Sequence, residues 1–408
     1  MTTEEDNVMV KVASLFSQLL GVVSRADFGR LVTEHRGERN AKGFTCWTQL
    51  VAMLFCQLAR AESLREICNG LVCCEGKLVH LGVRAAPNKS TLSYANQHRP
   101  AELFEAFFWA TLSRLRAAKQ LACRKPVFTF KNKLLSLDST TVSLCLSLFP
   151  WARFRRTKGG VKLHVLLDHD DYMPCWLLIT EAKQHDVRAA RLLNLPEGSI
   201  VAIDRGYNDY SLFSSWIERG VFFVTRLKED AVFEVVSRRK ARGVIRADQE
   251  IRLTGADAVA KCPHALRRVV VWDDEGNREI VLLTNQLEFP PETIAAIYKD
   301  RWEIELFFKT LKQNLKVKTF VGTSENALRI QIWTALLALL LLKWLHHLSA
   351  CGWSFANLAA MLRLNLFTYR DLTQWLKNPS NTPSIAPPLE QLCLPLAGLG
   401  QPPAWTTT

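Results

Sequence analysis

Apolar residues recur at helical spacing through the first third of the chain. VASLFSQLLGVV, DFGRLVTEH and WTQLVAMLFCQLA each gather them on one face, and SLREICNGLV and NKSTLSYANQHR repeat the pattern in shorter form. Residues Val8 to about Lys119 therefore read as all-helical. Asn88 and Ser90 are candidate N-caps for the last segment. A helix, a short connection and a second polar, basic helix give a helix-turn-helix-like outline.

From about Pro126 the period changes. KLLSLDSTTVSL, GGVKLHVLLDH and MPCWLLITEAK read as three strands joined by short polar connections, an antiparallel meander. A helix-like VRAARLLNL precedes SIVAIDRGY, a buried strand ending in Asp204. Asp209 caps a further helix, YSLFSSWIERG, before the strand VFFVTRL. Residues from about 228 to 276 then form a strand-rich, basic insertion with RRKAR at 238–242. REIVLLTNQ restores the strand pattern. Beyond Lys318 the chain is helical again, in NALRIQIWTALLALLLLKWLHHL and FANLAAMLRLN, and the Pro-rich tail from Pro379 is irregular.

Between the last strand and these helices lies IYKDRWEIELFFKTLKQNLKVK, which reads as one helix with two faces. At about 100° per residue, Tyr298, Arg301, Glu305 and Lys312 share an arc of roughly 60°, with Lys309 and Lys316 close to the same line. Ile297, Ile304, Phe308, Leu311 and Leu315 form a second, apolar stripe suited to docking on a core. Glu305 thus stands among cations, either as the i,i+4 partner of Arg301 or as a group with chemistry of its own.

With 408 residues the chain is too long for one ordinary core, so two or three domains are expected. Lys and Arg outnumber Asp and Glu by 52 to 39, and the net charge of +13 favours a polyanionic partner. A membrane is the weaker partner. The most apolar run, Ile332 to Leu342, is too short to span a bilayer and reads as a buried helix. The acidic N-terminus has no signal-peptide layout. Eleven cysteines, without CxxC pairs or zinc-ligand spacing, suggest reduced, mostly buried thiols and a cytoplasmic protein.

Three carboxylates stand out in this topology: Asp138 in the first strand, Asp204 at the end of the fourth, and Glu305 on the following helix. Strand ends in one mixed sheet converge, and a helix across the sheet can add a third ligand. Three oxygen ligands with open positions suit Mg²⁺ or Mn²⁺, and two such ions can drive in-line phosphodiester displacement. Each residue also has a plainer reading: Asp138 as a turn former, Asp204 as the ion-pair partner of Arg205. Asp168, Asp170 and Asp171 read as solvated hairpin residues. His164 and His185 are candidate general bases or structural histidines. Arg153, Arg155, Arg156, Lys158 and Lys162 surround Gly159-Gly160 as either a solvated loop or a phosphate-contacting one.

The spacing Tyr298-x2-Arg301-x3-Glu305-x6-Lys312 resembles the Tyr/Arg/Glu/Lys signature of bacterial insertion-sequence transposases of the Asp-Asp-Glu class. SLDSTTVSL around Asp138 and AIDRGYND around Asp204 resemble the other two catalytic motifs of that family, and KGGVKLH and KQHDV match its pattern between them. KGFTCWTQLVAMLFCQLARAESLREI and KSTLSYANQHR are similar to the helical domain preceding the catalytic domain in one subgroup. The turn DHDDYMP departs from the pattern, which usually has a Gly there.

The resemblance implies an α/β, ribonuclease-H-like mixed-sheet core with a β-rich insertion before the final glutamate. It implies a helical DNA-binding part over 1–122, a catalytic part over 123–320, C-terminal helices over 321–378 and a tail over 379–408. Asp138, Asp204 and Glu305 would hold two Mg²⁺ ions, with Mn²⁺ as a substitute. Tyr298, Arg301 and Lys312 would hold phosphates, joined by Lys309, Arg156, Lys158 and Lys162 as DNA-binding residues. Trp272 and Trp302 are stacking candidates, with packing the plainer role for Trp302. The implied activity is cleavage of element ends and joining of the 3′-hydroxyl to target DNA. The implied partners are terminal inverted repeats and target DNA, with a homodimer in the synaptic complex, in a bacterial, nucleoid-associated setting. A repurposed, catalytically inactive DNA-binding protein, a helix-turn-helix regulator and a nuclease without strand transfer are the alternatives.

Overall fold

The structure, a computed structural model, describes residues 13–39, 41–74, 76–121, 128–155, 158–315 and 320–385. Its N-terminal helices are α1 (Leu15–Leu20), α2 (Arg25–Glu34), α3 (Cys46–Ala59), α4 (Leu64–Val72), α5 (Lys89–His98) and α6 (Ala101–Ala117). The first four open on Ser14, Ser24, Thr45 and Ser63, whose hydroxyls accept the otherwise orphaned N–H three residues on. Asn88 holds the N-cap position of α5 without a side-chain cap bond, and Ser90 lies inside that helix. Residues 73–88, including a 3₁₀ turn at Leu78–Leu81, separate α4 from α5. The connection is therefore longer than a helix-turn-helix outline requires.

The second third supplies β1 (Leu134–Leu144), β2 (Arg153–Arg155), β3 (Lys158–Asp168), β4 (Met173–Glu181), α7 (Asp186–Ala190) and β5 (Ile200–Ile203). It continues through α8 (Tyr210–Glu218), β6 (Phe222–Arg226), β7 (Phe233–Arg239), β8 (Ile245–Leu253), α9 (Ala256–Lys261), β9 (Leu266–Asp273) and β10 (Arg278–Thr284). The sheet order is β2-β3-β1-β5-β6-β10-β9-β8-β7, with β4 on the other side of β3. β1, β3 and β4 form the antiparallel meander, and β5 and β6 add in parallel after the α7 and α8 crossovers. Asp209 caps α8 as expected. This is the ribonuclease-H-like arrangement.

The insertion does not form a separate module. β10 pairs antiparallel with β6, and β9, β8 and β7 continue the same sheet outward. A fully buried pair holds this extension: Arg267 forks onto Asp248 at 2.8 and 2.7 Å and also donates to the Phe289 carbonyl at 2.6 Å.

The last third comprises α10 (Pro291–Asp300), α11 (Trp302–Asn314), α12 (Glu325–Leu348), α13 (Phe355–Asn365) and α14 (Leu372–Lys377). The single helix expected from Ile297 onward is two helices meeting at Arg301. There the ladder tightens, with Ile304 N–H donating to the Arg301 carbonyl three residues back. The apolar stripe holds regardless: Ile297, Ile304, Phe308, Leu311 and Leu315 are all buried. α12, at 24 residues, is apolar and long enough to cross a membrane by length alone, yet it is buried along nearly its whole length. It packs on α3, α5, α6 and α13, and one apolar core runs through those helices, α11 and one side of β1, β3 and β4.

Strand parity separates the two faces of the central sheet. Leu135, Leu137, Val201 and Ile203 face the core formed with α8, whereas Leu134, Ile200 and Ala202 face α10 through Ile294 and Ile297.

Candidate active site

β1 and β5 lie side by side in parallel, with Leu137 opposite Ile203. The next residue on each is a carboxylate, Asp138 and Asp204. Asp204 therefore leaves the carboxyl end of β5 beside Asp138, which sits where the β5 pairing of β1 ends. By parity they belong to the face carrying Leu134 and Ala202, which α10 covers. Asp138 lies within β1 and is mostly shielded, with its carboxylate accepting the Ser139 N–H at 2.7 Å. Arg205 does not pair with Asp204 but reaches Glu229 at 2.8 Å. Asp204 lines an open cavity with Arg226 and Lys228.

The third carboxylate comes from α11. Arg301 donates to Glu305 at 2.8 Å and stands 3.7 Å from Asp138, bridging helix and strand. Its guanidinium also lies over the Tyr298 ring, 5.4 Å from the centroid. Arg301 is only 6% exposed, and its Nε and one terminal nitrogen have no hydrogen-bond partner. Lys312, about two turns beyond Glu305, donates to the Thr140 hydroxyl at 2.5 Å and to the Thr141 carbonyl at 3.2 Å. The polar ridge thus lies against β1, while Lys309 points outward and is exposed.

Burial pushes the Asp138 carboxyl up to about 6; the Ser139 N–H and Arg301 oppose the rise, and Asp204 and Glu305 add to it. Asp204 and Glu305 thus lie close enough to Asp138 to add to a rise that burial dominates. Among the described residues no three His, Cys, Asp or Glu side chains form a ready ligand group, because Arg301 is drawn in between Asp138 and Glu305. The donor chemistry, three carboxylates whose charges act on one another at Asp138, fits a hard divalent cation.

Comparison with known proteins identifies the family. A family profile described as the transposase DDE domain matches residues 129–341, more than half of the chain. The chain belongs to the DDE transposases. A second profile, for a domain of unknown function, matches residues 11–84. A protein of Sinorhizobium fredii named as a transposase is 32% identical over 305 residues, covering 73% of this chain and 83% of that protein. A transposase named for an insertion-sequence element of Geobacillus stearothermophilus is 29% identical, covering 63% of this chain and 67% of its own. Another, from Synechocystis, is 28% identical over 63% of this chain and 71% of its own.

Other expected residues of this transposase take different places. Lys162 is largely enclosed, donating to Asp186 at 3.2 Å and to the Gln184 carbonyl at 2.9 Å, so its charge is already engaged. Arg156 and the side chain of Lys158 lie outside the described residues. His164 is fully buried between the Thr180 hydroxyl at 3.1 Å and Asp186 at 3.5 Å, and burial pushes it down to about 4. It is a neutral internal group. His185 is exposed at the start of α7. Trp302 is not packed but 57% exposed. With Trp272, Tyr298, Arg226 and Arg301 it lines a cavity of about 800 Å³ between α10, α11 and the insertion strands. Trp272 also lies under Arg246, 5.5 Å from ring centroid to guanidinium.

Two groups escaped the sequence reading. Ser139 donates to Asp186 at 2.6 Å, which ties the far side of β1 to α7; the HDV of KQHDV was the available signal. Of the hairpin aspartates, Asp170 is exposed as expected, and the other two are not solvated. Asp168 and Asp171 are buried, paired with Lys133 at 2.7 Å and Arg116 at 2.6 Å, respectively. Of the described cysteines, Cys46, Cys56, Cys68 and Cys262 are buried, whereas Cys73, Cys145 and Cys175 are exposed, so the thiols are less uniformly buried than expected.

Proposed function

We propose that this transposase cleaves DNA at the ends of its insertion sequence and joins the freed 3′-hydroxyl to target DNA. Asp138, Asp204 and Glu305 would hold two divalent ions, Mg²⁺ with Mn²⁺ as a substitute. When bound, such ions lower the cost of generating the nucleophile and of releasing the leaving oxygen in an in-line displacement. The chain's own residues do the rest. Arg301 offers a forked donor to a phosphate, Lys312 a point charge, and Tyr298 a wall that holds the Arg301 plane in place. Lys309 extends the cationic ridge outward.

One observation carries the reading: a buried arginine with two free donors stands between two of the three carboxylates. The great majority of buried donors in structural ion pairs are satisfied. A DNA phosphate entering beside Glu305 would satisfy those donors and release the carboxylate for metal ligation.

In this reading the helical part over 1–122 recognises the terminal inverted repeats, and the insertion over about 228–276 and the C-terminal helices over 321–378 support end binding or pairing. Two protomers act in one synaptic complex, since two ends must be cut and joined together. The insertion-sequence names of two relatives support the substrate class.

The test is a cleavage and strand-transfer assay on a labelled duplex carrying the sequence that borders the gene. It is run with Mg²⁺, with chelator, and with Glu305→Gln. Metal-dependent nicks and joined product, both lost in Glu305→Gln while binding persists, are the expected result. Binding with no metal-dependent cut by the wild type would sink the proposal.

A further inference from the structure

The turn between β3 and β4 contributes no carboxylate or phosphate-binding group to the site, yet it gathers contacts from across the chain. Arg116 of α6 forks onto Asp171, and Lys133, just before β1, holds Asp168 and Asp170. Lys343 of α12 donates to the Tyr172 carbonyl at 2.5 Å. Tyr172 itself takes a left-handed backbone, φ 52°, at the turn where the sequence pattern has no Gly. A non-glycine residue keeps that conformation only when its surroundings hold it there. Its hydroxyl donates to Asp300 at 3.3 Å.

At the centre of this turn is His169, 8% exposed. One ring nitrogen, Nδ1, lies 2.6 Å from the Asp300 carboxylate, and the other, Nε2, 2.6 Å from the Ser136 hydroxyl. A carboxylate partner places the proton on Nδ1, so Nε2 accepts from Ser136. Ser136 is fully buried on β1, two residues before Asp138 and on the same face. Asp300 is the last residue of α10, next to Arg301. His169 therefore links the strand of Asp138 to the junction from which Arg301 and Glu305 project. The other end of α11 is tied to β1 by Lys312 and Thr140.

We propose that His169 is a positioning residue. Through Ser136 and Asp300 it sets the distance between the Asp138 strand and the Glu305 helix, and so the spacing at which the carboxylates receive divalent ions. This inference rests on the proposed reading of the active site. Groups that hydrogen-bond a metal ligand directly commonly change metal affinity or activity by about 10–100-fold when removed; His169, which holds Ser136 and Asp300 beside the ligands, should act within that bound.

The test compares wild type with His169→Ala, His169→Asn and Ser136→Ala in the full chain. Three quantities are measured: Mn²⁺ affinity by electron paramagnetic resonance, affinity for the end duplex in chelator, and the cleavage rate at saturating duplex and Mn²⁺. In His169→Ala, Mn²⁺ affinity and cleavage rate should both fall about 10–100-fold, with duplex affinity unchanged. His169→Asn should recover most of the loss, because its amide can still donate to Asp300. Should His169→Ala fail to fold, His169→Asn and Ser136→Ala carry the test, with the smaller defect expected in each. Wild-type values of Mn²⁺ affinity and cleavage rate in the folded variants would overturn the inference alone. So would parallel loss of all three quantities with no recovery by Asn, which marks a merely structural role. A wild type that neither binds Mn²⁺ nor cleaves would overturn the active-site reading, and this inference with it.

Discussion

Arg301 and Glu305 are joined by a 2.8 Å hydrogen bond, four residues apart across the start of α11, with the arginine buried and the glutamate partly open. The same guanidinium reaches toward Asp138. A single cation thus stands where phosphate and metal charge are both expected to arrive.

Replacing it separates its roles. Arg301→Ala should lower end cleavage by about 10²–10³-fold, the usual cost of losing one preorganised donor at a developing charge. Arg301→Lys should recover only part of this, since an ammonium cannot fork. Single-turnover cleavage of a labelled end measures both, and a fully active Arg301→Ala would remove Arg301 from the site.

Asp138 makes a pH-dependent prediction. Its carboxyl is raised from 3.8 to about 6, chiefly by burial. Between those values the folded state holds a proton that the unfolded state has lost, so stability falls as pH rises through the window. Without divalent ions, Asp138→Asn should therefore be more stable than wild type at pH 7, by about 1–3 kcal/mol. The two should converge near pH 4. His164, pushed down to about 4, slopes the other way, but both proteins share it and it cancels. Urea titrations at the two pH values decide the matter, and equal stability at pH 7 would contradict the burial penalty.

Divalent ions should reverse that order. Binding to the folded state alone stabilises by about 2.7 kcal/mol at a hundredfold excess over Kd. Mg²⁺ should thus raise the melting temperature of wild type but not of Asp138→Asn or Asp204→Asn, and chelator should abolish the rise. A Mg²⁺ shift that survives both substitutions would place the ion elsewhere.

The buried pair Arg267 and Asp248 concerns the insertion. Asp248→Ala leaves an uncompensated guanidinium inside the sheet and should cost about 3–5 kcal/mol. A double replacement by Met and Leu should recover most of it, because the desolvation penalty leaves with both charges. Chemical denaturation of the three proteins gives the answer; an unaffected Asp248→Ala would show that water reaches the pair.

What the sequence made legible was what local periodicity encodes. Asp138 and Asp204 stood out because apolar strands frame them, and the four-residue step from Arg301 to Glu305 fixed a shared helical face. The break between α10 and α11 was hidden, since neither Pro nor Gly marks it. Partners distant along the chain were equally hidden. Asp171 looked solvated because the arginine that pairs with it lies 55 positions earlier, and the continuation of the sheet from β10 to β7 depends on pairings that no strand announces alone. Trp302 looked like a packing residue by its chemistry, but its place beside Arg301 leaves it open to the cavity.

The helical core shared by α3 and α12 has a consequence for how the chain is made. Gln57 donates to the Gln331 carbonyl across 274 positions, and the apolar surface of α3 is covered largely by a helix near the other end of the chain. At about 5–20 residues per second, ribosomes need roughly 14–55 s to span that interval. During this time the nascent N-terminal helices wait with their sticky faces uncovered. A transposase built this way completes its fold late in synthesis, only once α12 has been made.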